Sequence, residues 1–198
     1  MSEFWNQRFS EERYVYGQQP NEFLKQQLEL LTPGRILFPC EGEGRNAVFA
    51  ALNGWEVDAF DGSEEGKKKA LKLANDNGVK IQYDIINVED YVVPNGIYDA
   101  VVLIFAHFTP SIRSAFHQSI INGLKRGGVL ILEGFRKEQL GHNSGGPRQL
   151  DMLFDQEMLQ EDFKALKIDH LAHTERTLDE GPYHQGLAHL IQLVGNKH

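Results

Sequence analysis

A three-layer α/β fold, with a mostly parallel seven-stranded sheet ending in an antiparallel hairpin, is predicted by three observations. Short β-branched runs alternate with longer helical stretches, the rhythm of crossover units on a parallel sheet. A glycine-containing loop, 39–47, stands between the first strand and the next helix, and an acid, Asp61, closes the second strand. Finally, two extended runs near the end are joined by a connector too short for a crossover helix, so they must pair antiparallel.

The elements follow in order. Residues 21–31 carry Phe23, Leu24, Leu28 and Leu31 on one helical face, with Pro20 suited to a first helical position and Thr32-Pro33-Gly34 as the stop. Residues 35–39 form a buried strand. Helix 45–53 leads to strand 55–60, and helix 64–77 leads to strand 79–83. Strand 98–104 precedes helix 110–125, and a Gly127-Gly128 turn opens strand 129–134. The terminal pair is 166–173 and 187–194, with the acidic, Gly/Pro-containing connector 178–186 between them. A single domain over 1–198 is expected, divided into an N-terminal helical cover (1–33), a cofactor-binding half (34–135) and a substrate-side loop with the hairpin (136–198).

Composition narrows the function. Acids outnumber Lys and Arg by 28 to 20, for a net charge of −8, so a basic groove for nucleic acid is not expected. The lone Cys40 excludes an internal disulfide framework and suits a reducing cytoplasm. Residues 1–18 lack the basic start and apolar run of a secretory signal, and no run reaches the roughly 20 apolar residues of a membrane helix. No metal is expected: His170 and His173 are three apart in a strand and point to opposite faces, and no metal-ligand spacing occurs. Lys67, Lys68 and Lys69 beside Glu64 and Glu65 read as a solvated helix face.

The loop is the informative motif. In PCEGEGRNA, Gly42 and Gly44 allow positive φ and close backbone approach, and a helix N-terminus offers free N–H groups. Gly42-x-Gly44-x-x-Ala47 meets the dinucleotide pattern, and Asp61, 19 residues past Gly42, stands where an acid takes both ribose hydroxyls. The reading free of function is a tight turn with a helix cap at Asp61-Gly62-Ser63. A nicotinamide-dependent oxidoreductase is disfavoured because no tyrosine has a lysine four positions on, and the terminal hairpin fits it poorly.

The chain resembles the class I S-adenosylmethionine-dependent methyltransferases, near the small bacterial tellurite-resistance and thiopurine methyltransferase group. The likeness runs through FWNQRF (4–9), YGQQPNEFL (16–24), PCEGEGRNAVFAA (39–51), VDAFDGSEEGKKKA (57–70), YDAVVLIFAHF (98–108), GGVLILEGF (127–135), GGPRQLDMLF (145–154) and DEGPYHQGLAHLIQLV (179–194). It implies a Rossmann-like methyltransferase fold and S-adenosylmethionine as cofactor, with S-adenosylhomocysteine as product. Cys40, Glu41, Gly42, Gly44 and Asn46 would lie on the cofactor, Asp61 with Gly62 and Ser63 at its ribose, and Asn87 and Val88 at its adenine. Phe105 and Ala106 complete that set. Phe38 and Cys40 depart from the family's acid and first glycine, and Glu41 is expected to meet the methionine amino group in place of the missing acid.

Methyl transfer is an in-line displacement that depends mainly on alignment, and a soft thiol, selenium or tellurium acceptor needs little help from a base. His107, just beyond the fourth strand, and His184, in the hairpin connector, are the catalytic candidates. Each also reads as a loop-anchoring histidine. Trp5, Tyr16, Phe108, Glu133, Arg136 and Arg148 are expected on the substrate side, with the loop 141–147 as a lid. The partner expected is a small molecule; neither nucleic acid nor membrane is, and the oligomeric state is left open. The competing functions are a cofactor-binding domain without turnover and an NAD(P)-dependent oxidoreductase.

Overall fold

The computed structural model describes residues 2–198. The elements are α1 (Ser2–Phe9), α2 (Glu22–Leu28), β1 (Arg35–Pro39), α3 (Arg45–Leu52), β2 (Glu56–Asp61), α4 (Glu64–Asp76), β3 (Gln82–Ile85), β4 (Tyr98–Ile104), α5 (Pro110–Gly123), β5 (Leu124–Phe135), α6 (Gln156–Asp162), β6 (Lys167–Asp179) and β7 (Gln185–Asn196). The seven strands run in the order β3-β2-β1-β4-β5-β7-β6. The predicted α/β class and closing hairpin are both present: β1–β2, β2–β3 and β4–β5 pair parallel, while β7 pairs antiparallel with β5 and β6.

Two compact units make up the chain, Met1–Tyr91 and Val92–His198. In the first, Ile36, Leu37 and Phe38 are buried in succession, as a parallel strand covered on both faces requires. Ser63 caps α4 by accepting from the Gly66 N–H at 3.0 Å, and Glu64 and Glu65 add favourable charge to its first turn. In the second unit Val101, Val102 and Leu103 of β4, Leu130, Ile131 and Leu132 of β5, and Leu190, Ile191 and Leu193 of β7 are all buried.

Several expected boundaries move, each for a local reason. Asn21, not Pro20, begins α2: it accepts from the Leu24 N–H at 3.0 Å as the N-cap. That helix stops at Leu28 rather than residue 31, because Thr32 before Pro33 is driven out of helical geometry and the last residues form a turn. Strand β3 starts only at Gln82, since Val79 and Ile81 pack instead on Val48, Leu73 and Ala74 of α3 and α4. The hairpin strands are longer than expected, and Glu180 and His184 close the connector with an N–H to carbonyl bond of 2.9 Å.

The loop 141–147 is pinned rather than free to act as a lid. Ser144 is buried and bonds the Leu187 carbonyl, while Gln139 Nε2 donates to Ser144 Oγ at 2.8 Å and to the Gly145 carbonyl at 3.0 Å. A Cβ on Gly146 would stand 2.9 Å from the Phe135 ring. Helix α6, absent from the expected pattern, is capped by Asp155, which accepts from the Met158 N–H.

Candidate functional site

The loop after β1 turns on positive φ at Cys40 (54°), Gly42 (63°) and Gly44 (87°). At Cys40 that conformation costs a non-glycine residue about 1–2 kcal/mol, strain of the kind that gathers at functional sites. Gly44 is there for space as well as for φ: a Cβ would stand 2.7 Å from the Ala70 Cα on α4.

Two carboxyls shape the loop, Glu41 partly buried and Asp61 buried. Glu41 Oε1 accepts from the Asn46 and Ala47 N–H groups at 2.9 and 2.7 Å, closing the start of α3. Asp61, 7% exposed, accepts from Gly42 N–H at 3.1 Å and Ser63 N–H at 2.9 Å, one bond to each oxygen. Burial raises Glu41 to about 7 against the pull of these N–H groups and of Arg45. Burial likewise lifts Asp61 to about 6. The Tyr83 hydroxyl donates to the Gly42 carbonyl at 2.6 Å. The two carboxyls are hydrogen-bond acceptors suited to a ligand bearing ammonium and hydroxyl groups, and Asp61 keeps lone pairs for a diol. The residues therefore fit S-adenosylmethionine.

The N-terminal segment packs directly on this loop. The Phe9 ring lies over Gly42, where a Cβ would stand 2.9 Å away. Trp5 stacks on Phe9 at 5.5 Å, Tyr16 lies 6.3 Å from both rings, and Arg8 Nη1 donates to the Tyr16 hydroxyl at 3.0 Å. Asn6 ties α1 to α4 by accepting from Ser63 Oγ and the Glu65 N–H. Asn46, expected on the cofactor, instead turns its side-chain carbonyl to the Asn21 N–H at 2.9 Å, an obligatory bond for a buried amide. Asn87 is exposed beyond β3, its carbonyl accepting from the Asp90 N–H at 3.0 Å, and Val88 lies inside that turn.

In the second unit, Phe105 follows β4 with a positive φ of 54°; its ring stacks on Phe135 at 4.9 Å and meets His184 edge-on at 4.5 Å. Ala106 beside it is buried. His107 is not poised as a base. Its Nδ1 lies 2.8 Å from the Met152 carbonyl and so carries the proton, while Nε2 accepts from the Phe135 N–H at 3.0 Å. Burial holds it at about 4, neutral at pH 7.

Three residues expected on the substrate side are committed elsewhere. Phe108 is buried edge-on against Phe116 at 5.1 Å. Glu133, fully buried, meets Arg176 Nη2 at 2.8 Å and Gln192 Nε2 at 2.6 Å, because a buried carboxylate needs a cation and donors. Arg136 pairs with Glu138 and Glu175 at 2.9 and 2.8 Å. Arg148 is exposed, and His184 is buried beside Glu180, its Nδ1 3.5 Å from the carboxylate.

Sequence reasoning missed two features here. Asp162 accepts from Arg113 Nε and His117 Nδ1, both at 2.9 Å, and burial lowers the His117 pKa despite this partner. A depression of about 680 Å³ is lined by Pro110, Arg113, Lys137, Leu150, Asp151 and Met158. Only His117, on the apolar side of α5, offered any signal in the sequence.

The model of a family described as "Methyltransferase domain" matches residues 36–128, just under half of the chain and including the whole glycine loop. Residues 36–128 are thus a methyltransferase domain, and the chain is similar to the class I S-adenosylmethionine-dependent methyltransferases. Its cofactor is S-adenosylmethionine. Solved structures share the fold of this methyltransferase at low identity. One, from work on the conversion of a disulfide bond into a thioacetal group during echinomycin biosynthesis, has a TM-score of 0.81 and 14% identity, with 100% of this chain and 91% of that one covered. TehB from Haemophilus influenzae has a TM-score of 0.75 and 13% identity, with 100% and 67% covered. A SAM-dependent methyltransferase from Methanosarcina mazei has a TM-score of 0.65 and 17% identity, with 87% and 96% covered. No curated protein matches the sequence. Among the described residues no helix is long and apolar enough to cross a membrane.

Proposed function

We propose that this methyltransferase acts on a small, soft nucleophile: a thiol, or a selenium or tellurium species. The observation that carries the reading is His107, whose two ring nitrogens are both engaged by backbone groups. The histidine closest in sequence to the end of β4 cannot accept a proton from an acceptor, and Glu133 is held by Arg176 and Gln192. An acceptor that arrives already ionised suits such a site, because its reactivity does not depend on a base.

Bound S-adenosylmethionine supplies an electrophilic methyl on a sulfonium sulfur that departs as a neutral thioether. The chain's own residues bind and align. The Gly42 and Gly44 backbone receives the methionine portion, Glu41 takes its ammonium, Asp61 takes the ribose diol, and Asn87 and Val88 read the adenine. Trp5 and Tyr16 cover the loop and exclude water, which strengthens every charge interaction beneath them. On the acceptor side we assign His184, as a contact residue, and Arg148. Together these residues would hold the acceptor in line with the sulfonium methyl, and such alignment would lower the barrier by roughly 7–11 kcal/mol. Two likenesses favour a chalcogen acceptor: the neighbour from echinomycin biosynthesis, where a disulfide bond becomes a thioacetal group, and the resemblance to the tellurite-resistance group.

The test is a panel of thiols, selenite and tellurite with reductant, alcohols and amines, with S-adenosylhomocysteine and the methylated products measured by mass spectrometry. Turnover confined to the sulfur, selenium and tellurium arms is expected. Turnover of an alcohol or amine with none of those overturns the acceptor class. Cofactor binding without turnover on any acceptor favours a binding domain, a reading to which the departures at Phe38 and Cys40 give weight.

A further inference from the structure

Three side chains of the glycine loop, Glu43, Arg45 and Asn46, hold the N-terminal segment. Glu43, between the two glycines, is the centre of this arrangement. Its side chain is 3% exposed, and its two oxygens have different partners. Oε2 accepts from the Val15 N–H at 2.8 Å and the Tyr16 N–H at 3.3 Å; Oε1 accepts from Lys69 Nζ at 2.8 Å. Lys69 in turn donates to the Arg13 carbonyl at 2.6 Å, and Arg45 Nη1 donates to the Tyr16 carbonyl at 3.0 Å. Residues 13–16 are thus bonded to the loop from both their N–H and carbonyl sides. The same segment carries Tyr16 into contact with Trp5 and with Phe9, whose ring covers Gly42.

We propose that Glu43 is a positioning residue that latches the N-terminal strap onto the cofactor loop and so sets the rate at which cofactor enters and leaves. The inference rests on the cofactor reading above but not on the acceptor. A tight turn needs no buried acid between its glycines. A latch does: a carboxylate accepts from two backbone N–H groups on one oxygen and an ammonium on the other. No neutral side chain of the same shape can replace it. In Glu43→Gln one of the two positions becomes an NH₂ donor, facing either the Val15 and Tyr16 N–H groups or Lys69 Nζ. Donor meets donor, and one arm of the latch opens. Lys69→Met removes the ammonium arm alone and leaves the carboxylate bonds to the strap.

The experiment measures S-adenosylhomocysteine dissociation by stopped flow, with amide hydrogen exchange of the ligand-free protein alongside. In Glu43→Gln, dissociation should quicken about tenfold or more, the scale set by losing a charge-assisted hydrogen bond. Lys69→Met should fall between it and the parent. Without ligand, exchange should rise together at Val15, Tyr16 and the 42–44 amides, and Trp5 emission should shift to the red while buried Trp55 stays constant. A lower melting temperature with unchanged dissociation in both variants overturns the proposal and leaves Glu43 purely structural. Exchange that rises at 13–16 but not at 42–44 also overturns it, since strap and loop are then uncoupled. A parent protein that binds no S-adenosylhomocysteine refutes the cofactor reading first, and the gating role falls with it.

Discussion

Replacing Glu41 by Gln tests the electrostatics of the cofactor loop with little change of shape. The amide oxygen still accepts from the Asn46 and Ala47 N–H groups, so the start of α3 stays closed. What disappears is a partly buried carboxyl held at about 7 against its ordinary 4.5. Because the folded-state value lies above the unfolded one, ionisation opposes folding. The cost is absent well below pH 4.5, grows between 4.5 and 7, and is complete above 7. The rise from 4.5 to about 7 amounts to about 3 kcal/mol at pH 8 and under about 1 kcal/mol at pH 5. In urea unfolding without cofactor, the variant should therefore gain about 2 kcal/mol on the parent between pH 5 and pH 8. That corresponds to a midpoint difference near 1 M for a slope of about 2 kcal/mol per molar.

Binding runs the other way. A cofactor ammonium beside Glu41 favours the ionised form, so at pH 7 the parent should release about half a proton on binding and the variant close to none. Calorimetry in two buffers of different ionisation enthalpy reads that difference, and the variant should bind at least about tenfold more weakly, one pKa unit's worth of interaction. Parallel stability curves for the two proteins across pH 5 to 8 would show that Glu41 titrates normally. Unchanged cofactor affinity would remove it from the methionine contact.

Gly44→Ala meets both a positive φ of 87° and the Ala70 backbone 2.7 Å away, so a loss of about 2–4 kcal/mol is expected in urea unfolding; a loss under 1 kcal/mol would mean that α4 can move aside. His107→Asn should lower the melting temperature yet leave the shape of the kcat against pH profile unchanged, since a neutral histidine with both nitrogens bonded to backbone supplies no titrating limb. His107 carries a lowered pKa, so its contribution to stability is full above pH 6.5 and is lost as pH falls toward 4; the parent should lose about 3 kcal/mol over that window relative to the variant, read by denaturation at pH 4 and 7. Arg176→Met leaves the Glu133 carboxyl buried without its cation and should cost about 3–5 kcal/mol, whereas pairing it with Glu133→Leu should restore much of that loss. A single-variant loss below 1 kcal/mol would mean that other groups neutralise Glu133.

The sequence made the sheet readable because its signals are local. Val57, Ala59 and Phe60 announce a buried strand by themselves, and the absence of helical length between residues 179 and 185 forces a hairpin. Gly42, Gly44 and Asp61 were readable for the same reason, since a turn needing positive φ leaves its mark on the chain. The partners of the side chains were not. His107 lies where a base was expected, yet its state is set by the Met152 carbonyl, 45 positions away. Glu133 has its meaning fixed by Arg176 and Gln192 on the hairpin, and Asn46 by Asn21. Spacing carries no information on such pairs, because chain folding alone brings them together.

That contrast explains how one short loop serves two purposes. Its backbone, through Gly42 and Gly44, is shaped for a ligand and gains from having no side chains there. Its side chains, Glu43, Arg45 and Asn46, are used on the opposite side to hold residues 13–21. A glycine loop left alone would be conformationally broad, since glycine loses more freedom on ordering than any other residue. If the N-terminal strap meets that entropy cost in advance, as proposed, the cofactor would encounter a loop already set, and affinity would depend on a segment that touches the loop from behind. Strap variants that leave every ligand-facing group intact should therefore still weaken cofactor binding, through faster dissociation rather than slower association.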